Sequence, residues 1–147
     1  MHHGDSQWCF LLMMTTTTLS VRTYELDSFG HVNNATYLQY FEVARCEWMA
    51  KSGIPFPEIQ RAGIQIVIAD ANIKFLTPAF FTDELTICCW CEAATGASVT
   101  FSYKIDCKER QVRIATGTTK GVCIDGITGK PRRWPSAFRC IFLPEIA

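Results

Sequence analysis

The stretch Asp27-Ser28-Phe29-Gly30-His31-Val32-Asn33-Asn34 gathers a carboxylate, a glycine, an imidazole and two amides in one short run. A carboxylate here could act as a nucleophile or a general base. An imidazole four residues on could orient it, bind a carbonyl oxygen or move a proton. Each residue also has a plain structural reading: Asp27 as the cap of a turn, Gly30 as a turn glycine, His31 as a loop histidine hydrogen-bonded for structure. The residues after Asn34 read as helix, and the first N–H groups of a helix lack intrahelical partners and sit at the positive end of its dipole. The peptide N–H near Asn33, Asn34 or Ala35 is therefore a donor for developing negative charge.

Two other charged groups stand out. Glu42 lies two helical turns past Asn34 and three residues before Arg45, close enough to pair with it. A buried ion pair locking helix to sheet is the structural reading of Glu42, and a second reactive carboxylate the chemical one. Lys130, Arg132 and Arg133 follow the turns at Asp125-Gly126 and Thr128-Gly129. They read either as a solvated basic turn or as a phosphate contact, which the guanidinium fork suits. No zinc site is expected, because His31 is the only histidine beyond His2 and His3 and no ligand cluster lies within sequence reach.

The elements that must position these groups follow from periodicity. Residues 19–26 alternate like a strand, and 27–34 are loop formers. Residues 35–52 read as a helix, free of Pro and Gly, stopped by Gly53 and Pro55 and capped by Asn33 or Asn34. Apolar residues (Tyr37, Leu38, Tyr40, Phe41, Val43, Trp48) surround it on nearly every side, which marks a buried helix. After a loop over 53–63 come four strand-like segments: 64–75, 84–92, 97–107 and 111–124. Gly117 and Gly121 read as bends or bulges in the last. Strand, long helix, then four strands is an α+β order, suited to an antiparallel sheet wrapped around one helix.

Composition narrows the function classes. The chain has 147 residues, 48% hydrophobic and 19% charged, which fits one globular domain. Its formal net charge is +0, without the basic surplus of a nucleic-acid binder. The eight cysteines read as free, buried thiols of a reducing cytoplasm. Cys88 and Cys91, on a strand, should face opposite ways, which argues against a redox or metal role. Residues 1–14 read as a leader before a single domain over 15–147. The apolar run within them is too short to span a membrane, and no other segment approaches the ~20 residues required.

Residues 24–45 resemble the signature of the 4-hydroxybenzoyl-CoA thioesterase family. The likeness rests on D-x-x-G-H-V-N-N at Asp27–Asn34 and Y-L-x-Y-F-E-x-A-R at Tyr37–Arg45. It extends over about residues 17–142, in the second half by pattern more than by motif. The resemblance implies a hot-dog fold, a homodimer joined sheet edge to sheet edge or a homotetramer built from it, and active sites at the subunit interface. It implies hydrolysis of an acyl-CoA or acyl-carrier-protein thioester without a cofactor, the CoA moiety being part of the substrate. Asp27 would attack the thioester or activate water, a helix-start N–H would hold the oxyanion, and Gly30, His31 and Asn34 would shape the site. Another branch of hot-dog thioesterases uses a helix glutamate, which makes Glu42 the competing carboxylate. Lys130, Arg132 and Arg133 would meet the CoA phosphates. A non-catalytic acyl-CoA binder and a hot-dog dehydratase are the other classes considered. Binders of that kind usually carry an attached DNA-binding domain, and a dehydratase expects its histidine in a different motif.

Overall fold

A threonine run builds the first strand. β-Branched side chains suit an extended backbone, and Met14–Ser20 forms β1, paired from Met14↔Trp90 to Ser20↔Glu84. The strand expected over 19–26 therefore lies earlier, and Thr23–Glu25 is a single 3-10 turn. A computed structural model describes residues 14–143 of the chain. The leader expected over 1–14 thus lies almost wholly outside the described residues.

The other elements are α1 (Thr36–Lys51), α2 (Phe56–Arg61), β2 (Ile64–Phe75), β3 (Glu84–Ala94), β4 (Ser98–Cys107), β5 (Val112–Asp125) and α3 (Ser136–Phe142). Helix α2 falls in the expected loop, and α3 has no counterpart among the expected elements. The strands form one 5-stranded sheet in the order β1-β3-β4-β5-β2, every pairing antiparallel. The expected α+β class holds.

Helix α1 lies on this sheet through Phe41, Ala44 and Trp48, all fully buried. Phe41 stacks on Tyr103 of β4 at 4.2 Å between ring centroids, and Trp48 meets Phe101 edge-on at 5.0 Å. Gly117 of β5 makes room for this contact, since a Cβ there would come within 2.5 Å of Phe41 Cε2 and 2.6 Å of the Asn72 carbonyl. Gly117 is thus no bulge. It pairs in regular register with Ile73 and Tyr103, and the β2 register shift falls between Ile68 and Asp70, opposite Gly121 and Lys120.

The helix is not buried all round. Leu38 and Val43 stay 45% and 47% exposed, and Glu42 and Cys46 are exposed beside them. Strand β2, at a sheet edge, is open on both faces over most of its length. Apolar residues on both sides of α1 therefore serve two purposes: one side packs the core of this chain, and the other is uncovered within it. Among the described residues no helix is long and apolar enough to cross a membrane.

Candidate active site

The loop from Asp27 to Val32 is closed at its base by pairing between Leu26 and Val32, and by the Asp27 N–H donating to His31 O at 2.7 Å. Gly30 turns the loop at φ +80, where a Cβ would meet no atom of the described residues within 4 Å. Its requirement is conformational and not one of space.

Within this turn Asp27 is partly buried, and its two oxygens differ. Oδ1 accepts the Phe29 N–H at 2.9 Å and the His31 N–H at 3.1 Å. Oδ2 has no hydrogen-bond partner among the described residues. The turn-capping and chemical readings of Asp27 are thus compatible: one oxygen fixes the side chain and leaves the other available.

The start of α1 sorts its donors in the same way. The Asn33 N–H donates to Glu25 O at 2.8 Å, the Ala35 N–H to Asn33 Oδ1 at 3.0 Å and the Thr36 N–H to Asn33 O at 2.9 Å. Of the three expected donors, the Asn34 N–H alone has no acceptor among the described residues. The N-cap is Ala35, which has no side chain to cap with, so neither asparagine caps α1 as expected; Asn33 instead closes a turn onto the Ala35 N–H, and Asn34 presents the unspent donor just ahead of the positive end of the helix.

His31 does not reach Asp27 with its ring. The two share only backbone and carboxylate-to-peptide bonds, while the imidazole packs edge-on against Phe80 at 5.1 Å. The segment after β2 clasps the loop from this side, with Val32 N–H donating to Ala79 O at 2.9 Å and His31 pairing with Phe80. From the other side, the buried Glu25 carboxylate receives the Arg22 N–H at 2.8 Å and the Tyr40 hydroxyl at 3.0 Å. Burial and the Glu25 hydrogen bond drive the Tyr40 pKa upward, so this hydroxyl stays a donor. Glu25, Phe80 and Asp83 escaped the sequence reading. The available signal was Glu25, a charged residue two positions before Asp27 in an otherwise strand-like run.

Glu42 is exposed and forms no ion pair with Arg45 among the described residues, so the expected buried pair is absent. Arg45 instead donates to the Tyr103 hydroxyl at 3.1 Å. The side chains are three apart, but Arg45 turns toward the sheet and Glu42 toward the open side of α1. Both line a largely apolar cavity of about 600 Å³ between α1, α2 and the first half of β2, with Cys46, Met49, Ile59 and Ile66. Leu38, Glu42 and Cys46 follow one another at four-residue spacing along α1, so one helix face leads from its N-terminal end toward this cavity.

The basic stretch lies elsewhere. Asp125 N–H donates to Lys130 O at 2.8 Å, and Arg132 stands 3.7 Å from the Asp125 carboxylate; Lys130, Arg132 and Arg133 are all exposed. Asp125 ends β5, whereas the Asp27 loop joins the sheet near Ile114 at the strand's beginning, through Leu76, Thr77 and Ala79. At ~3.3 Å per residue, the two groups stand on the order of 30 Å apart along the sheet. The structure does not bring them together within one chain. The seven described cysteines are free: Cys89, Cys107 and Cys123 are buried, while Cys46 and Cys140 are exposed, contrary to the expectation of buried thiols throughout. No group of three or more potential metal ligands occurs among the described residues.

A family model described as the thioesterase-like superfamily matches residues 21–142. The chloroplastic acyl-acyl carrier protein thioesterase ATL3 of Arabidopsis thaliana is 33% identical over 125 residues, 85% of this chain. That match spans 65% of the plant protein, so the chain covers somewhat less than two-thirds of its length. The long-chain acyl-CoA thioesterase FadM of Escherichia coli is 34% identical over 114 residues, 78% of this chain and 86% of FadM. Among solved structures, the DHNA-CoA thioesterase from Staphylococcus aureus superposes with a TM-score of 0.79 at 25% identity, covering 90% of this chain and 85% of that one. The five-stranded sheet and its long helix are the hot-dog fold expected from the resemblance.

Proposed function

The chain belongs to the thioesterase-like superfamily, and on that premise we propose that it hydrolyses acyl-CoA thioesters to a free acid and CoA, with Asp27 as the reacting carboxylate. One observation carries this reading: Asp27 is held by Oδ1 with Oδ2 unspent, in the same closed loop that leads to the unspent Asn34 N–H. A carboxylate fixed on one oxygen loses little freedom when the other attacks a carbonyl carbon or takes a proton from water. A thiolate leaves readily, so either route is chemically sufficient. The Asn34 N–H holds the carbonyl oxygen as it gains charge, a contribution typically of about 3–4 kcal/mol. Gly30 permits the turn. His31 shapes the loop through its backbone and its contact with Phe80.

The acyl group runs from this point along the Leu38 face of α1 into the cavity, where Glu42 forms part of the wall. Glu42 is the lesser candidate for the chemistry, because no peptide N–H among the described residues orients it and it stands two turns from the free donor. Long-chain acyl-CoA is the named substrate of one relative. A test panel therefore spans aliphatic chain lengths and includes benzoyl and hydroxybenzoyl esters.

The functional unit is a homodimer, itself open to pairing into a tetramer. The open edge of β2 and the uncovered face of α1 need a partner. A two-fold copy joined antiparallel through β2 sets the Phe75 end of one strand beside the partner's Ile64 end. Ile64 pairs with Asp125, so the partner subunit's Lys130, Arg132 and Arg133 come beside the Asp27 loop that they cannot serve within their own chain. They meet the CoA phosphates there. Carrier-protein thioesters are the second reading, supported by the likeness to the plant enzyme.

The experiment is hydrolysis of acyl-CoA esters from acetyl to palmitoyl, with benzoyl and hydroxybenzoyl members and matched acyl-carrier-protein esters, followed by release of free thiol. Turnover of CoA esters supports the first reading and turnover confined to carrier-protein esters the second. Wild-type protein inactive on every ester contradicts both.

A further inference from the structure

Arg110, in the turn between β4 and β5, is remote from Asp27 in sequence and touches none of the groups assigned to the reaction. Its guanidinium nevertheless ties together the segment that clasps the Asp27 loop. Nε and Nη2 donate to the two oxygens of Asp83 at 3.2 and 2.6 Å, and Nη2 donates to Pro78 O at 3.0 Å. The same guanidinium lies over the Phe80 ring, 5.0 Å from its centroid. Asp83 closes the segment on itself by accepting the Phe80 N–H at 2.9 Å, and Val21 N–H donates to Asp83 O at 2.9 Å.

One residue of this segment holds a strained backbone. Thr82 sits at φ 73, a left-handed backbone that a β-branched residue rarely adopts. Such a residue persists only where its surroundings over-determine it, and strain of this kind collects next to functional sites. The over-determining contacts are those of Arg110 to Pro78 and Asp83, which flank Phe80 and Thr82 in the chain, and of the Phe80 N–H to Asp83. Phe80 carries the constraint onward, since its backbone pairs with His31 and its ring meets the imidazole at 5.1 Å, while neighbouring Ala79 holds Val32.

We propose that Arg110 is a positioning residue for the hydrolysis: through Asp83 and Phe80 it clamps the strained 78–83 segment onto His31 and Val32, fixing the loop that presents Asp27. The planar fork is essential, because three acceptors and a ring face are engaged at once. A lysine would keep the charge and lose most of that geometry.

This assignment rests on the thioesterase reading of Asp27, and the test separates the two. Wild type, Arg110→Ala, Arg110→Lys and Phe80→Leu are compared for kcat and KM on the best ester. Thermal midpoint, oligomer size and the imidazole proton resonances of His31 are recorded for each. The chain's other histidines are His2 and His3, and the His31 signals are identified by their loss in His31→Asn. The expected result for Arg110→Ala is a folded protein with kcat down about tenfold, KM within twofold and His31 resonances moved in the direction produced by removing the Phe80 ring. Arg110→Lys falls between this and wild type, and carries the test if Arg110→Ala does not fold. An active wild type with unchanged kcat in the folded arginine variants, or unmoved His31 resonances, overturns the role of Arg110 alone. A wild type inactive on every thioester overturns the functional reading and this role with it.

Discussion

Tyr40 donates its hydroxyl to the Glu25 carboxylate at 3.0 Å, joining the second turn of α1 to the residues just before Asp27. Glu25 is 6% exposed, and its other oxygen faces Arg22 Nη2 at 3.3 Å. The same residue takes the Asn33 N–H on its backbone carbonyl, so one side chain and one peptide together set both ends of the reactive loop.

Removing the Tyr40 hydroxyl leaves a buried carboxylate one donor short. Tyr40→Phe should destabilise the fold by about 1–3 kcal/mol in urea denaturation. Arg22→Ala should cost clearly less, because that side chain is 55% exposed and solvent screens an exposed ion pair. Equal losses in the two variants would contradict the view that Tyr40 is the main support of Glu25.

Two glycines should respond differently to alanine. Gly30→Ala meets no neighbour among the described residues and carries the left-handed backbone penalty, about 1–2 kcal/mol. Its larger effect should appear in kcat, through a displaced Asp27. Gly117→Ala drives a methyl into Phe41 and the Asn72 backbone. Overpacking of this kind costs typically about 1–3 kcal/mol or more, and repacking around Phe41 and Tyr103 is required. Thermal denaturation and kcat measured side by side would refute the distinction if the loop variant lost more stability and the core variant more activity.

Burial sets thiol reactivity. Desolvation raises the Cys89 and Cys123 pKa values and pushes Cys91 up to about 11. In the native protein an alkylating reagent at about pH 8 should label Cys140, and reach Cys89, Cys107 and Cys123 only in denaturant. Peptide mapping of the labelled sites checks this. Rapid native labelling of Cys89 would show that the β3 interior is open.

Asp83 contributes to the acid limb of stability. Partial burial alone would raise its pKa, yet the Arg110 fork and the Phe80 N–H outweigh burial and hold the carboxyl below its ordinary value. A depressed folded value means stability present above the ordinary aspartate pKa and lost as pH falls through the lowered one. Unfolding free energy measured from about pH 4 to pH 2 should fall less steeply in Asp83→Asn than in wild type. Parallel slopes would remove Asp83 from this role.

Much of this arrangement can be read along the chain, for identifiable reasons. Strands β2 to β5 announce themselves because Pro78, Asp83, Gly96 and Gly126 interrupt runs of β-branched and aromatic residues. The Asp27–Asn34 loop is legible because Gly30 and the two asparagines fit no regular element. β1 is harder to see, since four threonines beside an apolar leader show no alternation, and only pairing with β3 makes them a strand. The open side of α1 is illegible in principle. Leu38 and Val43 look like core until the sheet is seen to cover only the Phe41–Trp48 side. Arg110, Asp83 and Phe80 are equally hidden, because their relation to His31 exists only once the 78–83 segment folds back over the loop.

The most direct test of Asp27 as the reacting carboxylate is hydrolysis by Asp27→Asn. An asparagine Oδ1 can still accept the Phe29 and His31 N–H groups, so the turn is retained and only the free oxygen becomes an amide. The expected result is a folded variant, with wild-type thermal midpoint within a few degrees and the same oligomer size, whose kcat on the best thioester falls about 10²–10⁴-fold. A folded Asp27→Asn protein that turns over within threefold of wild type would contradict the assignment, and would move the chemistry to Glu42 or to water held by the loop peptides.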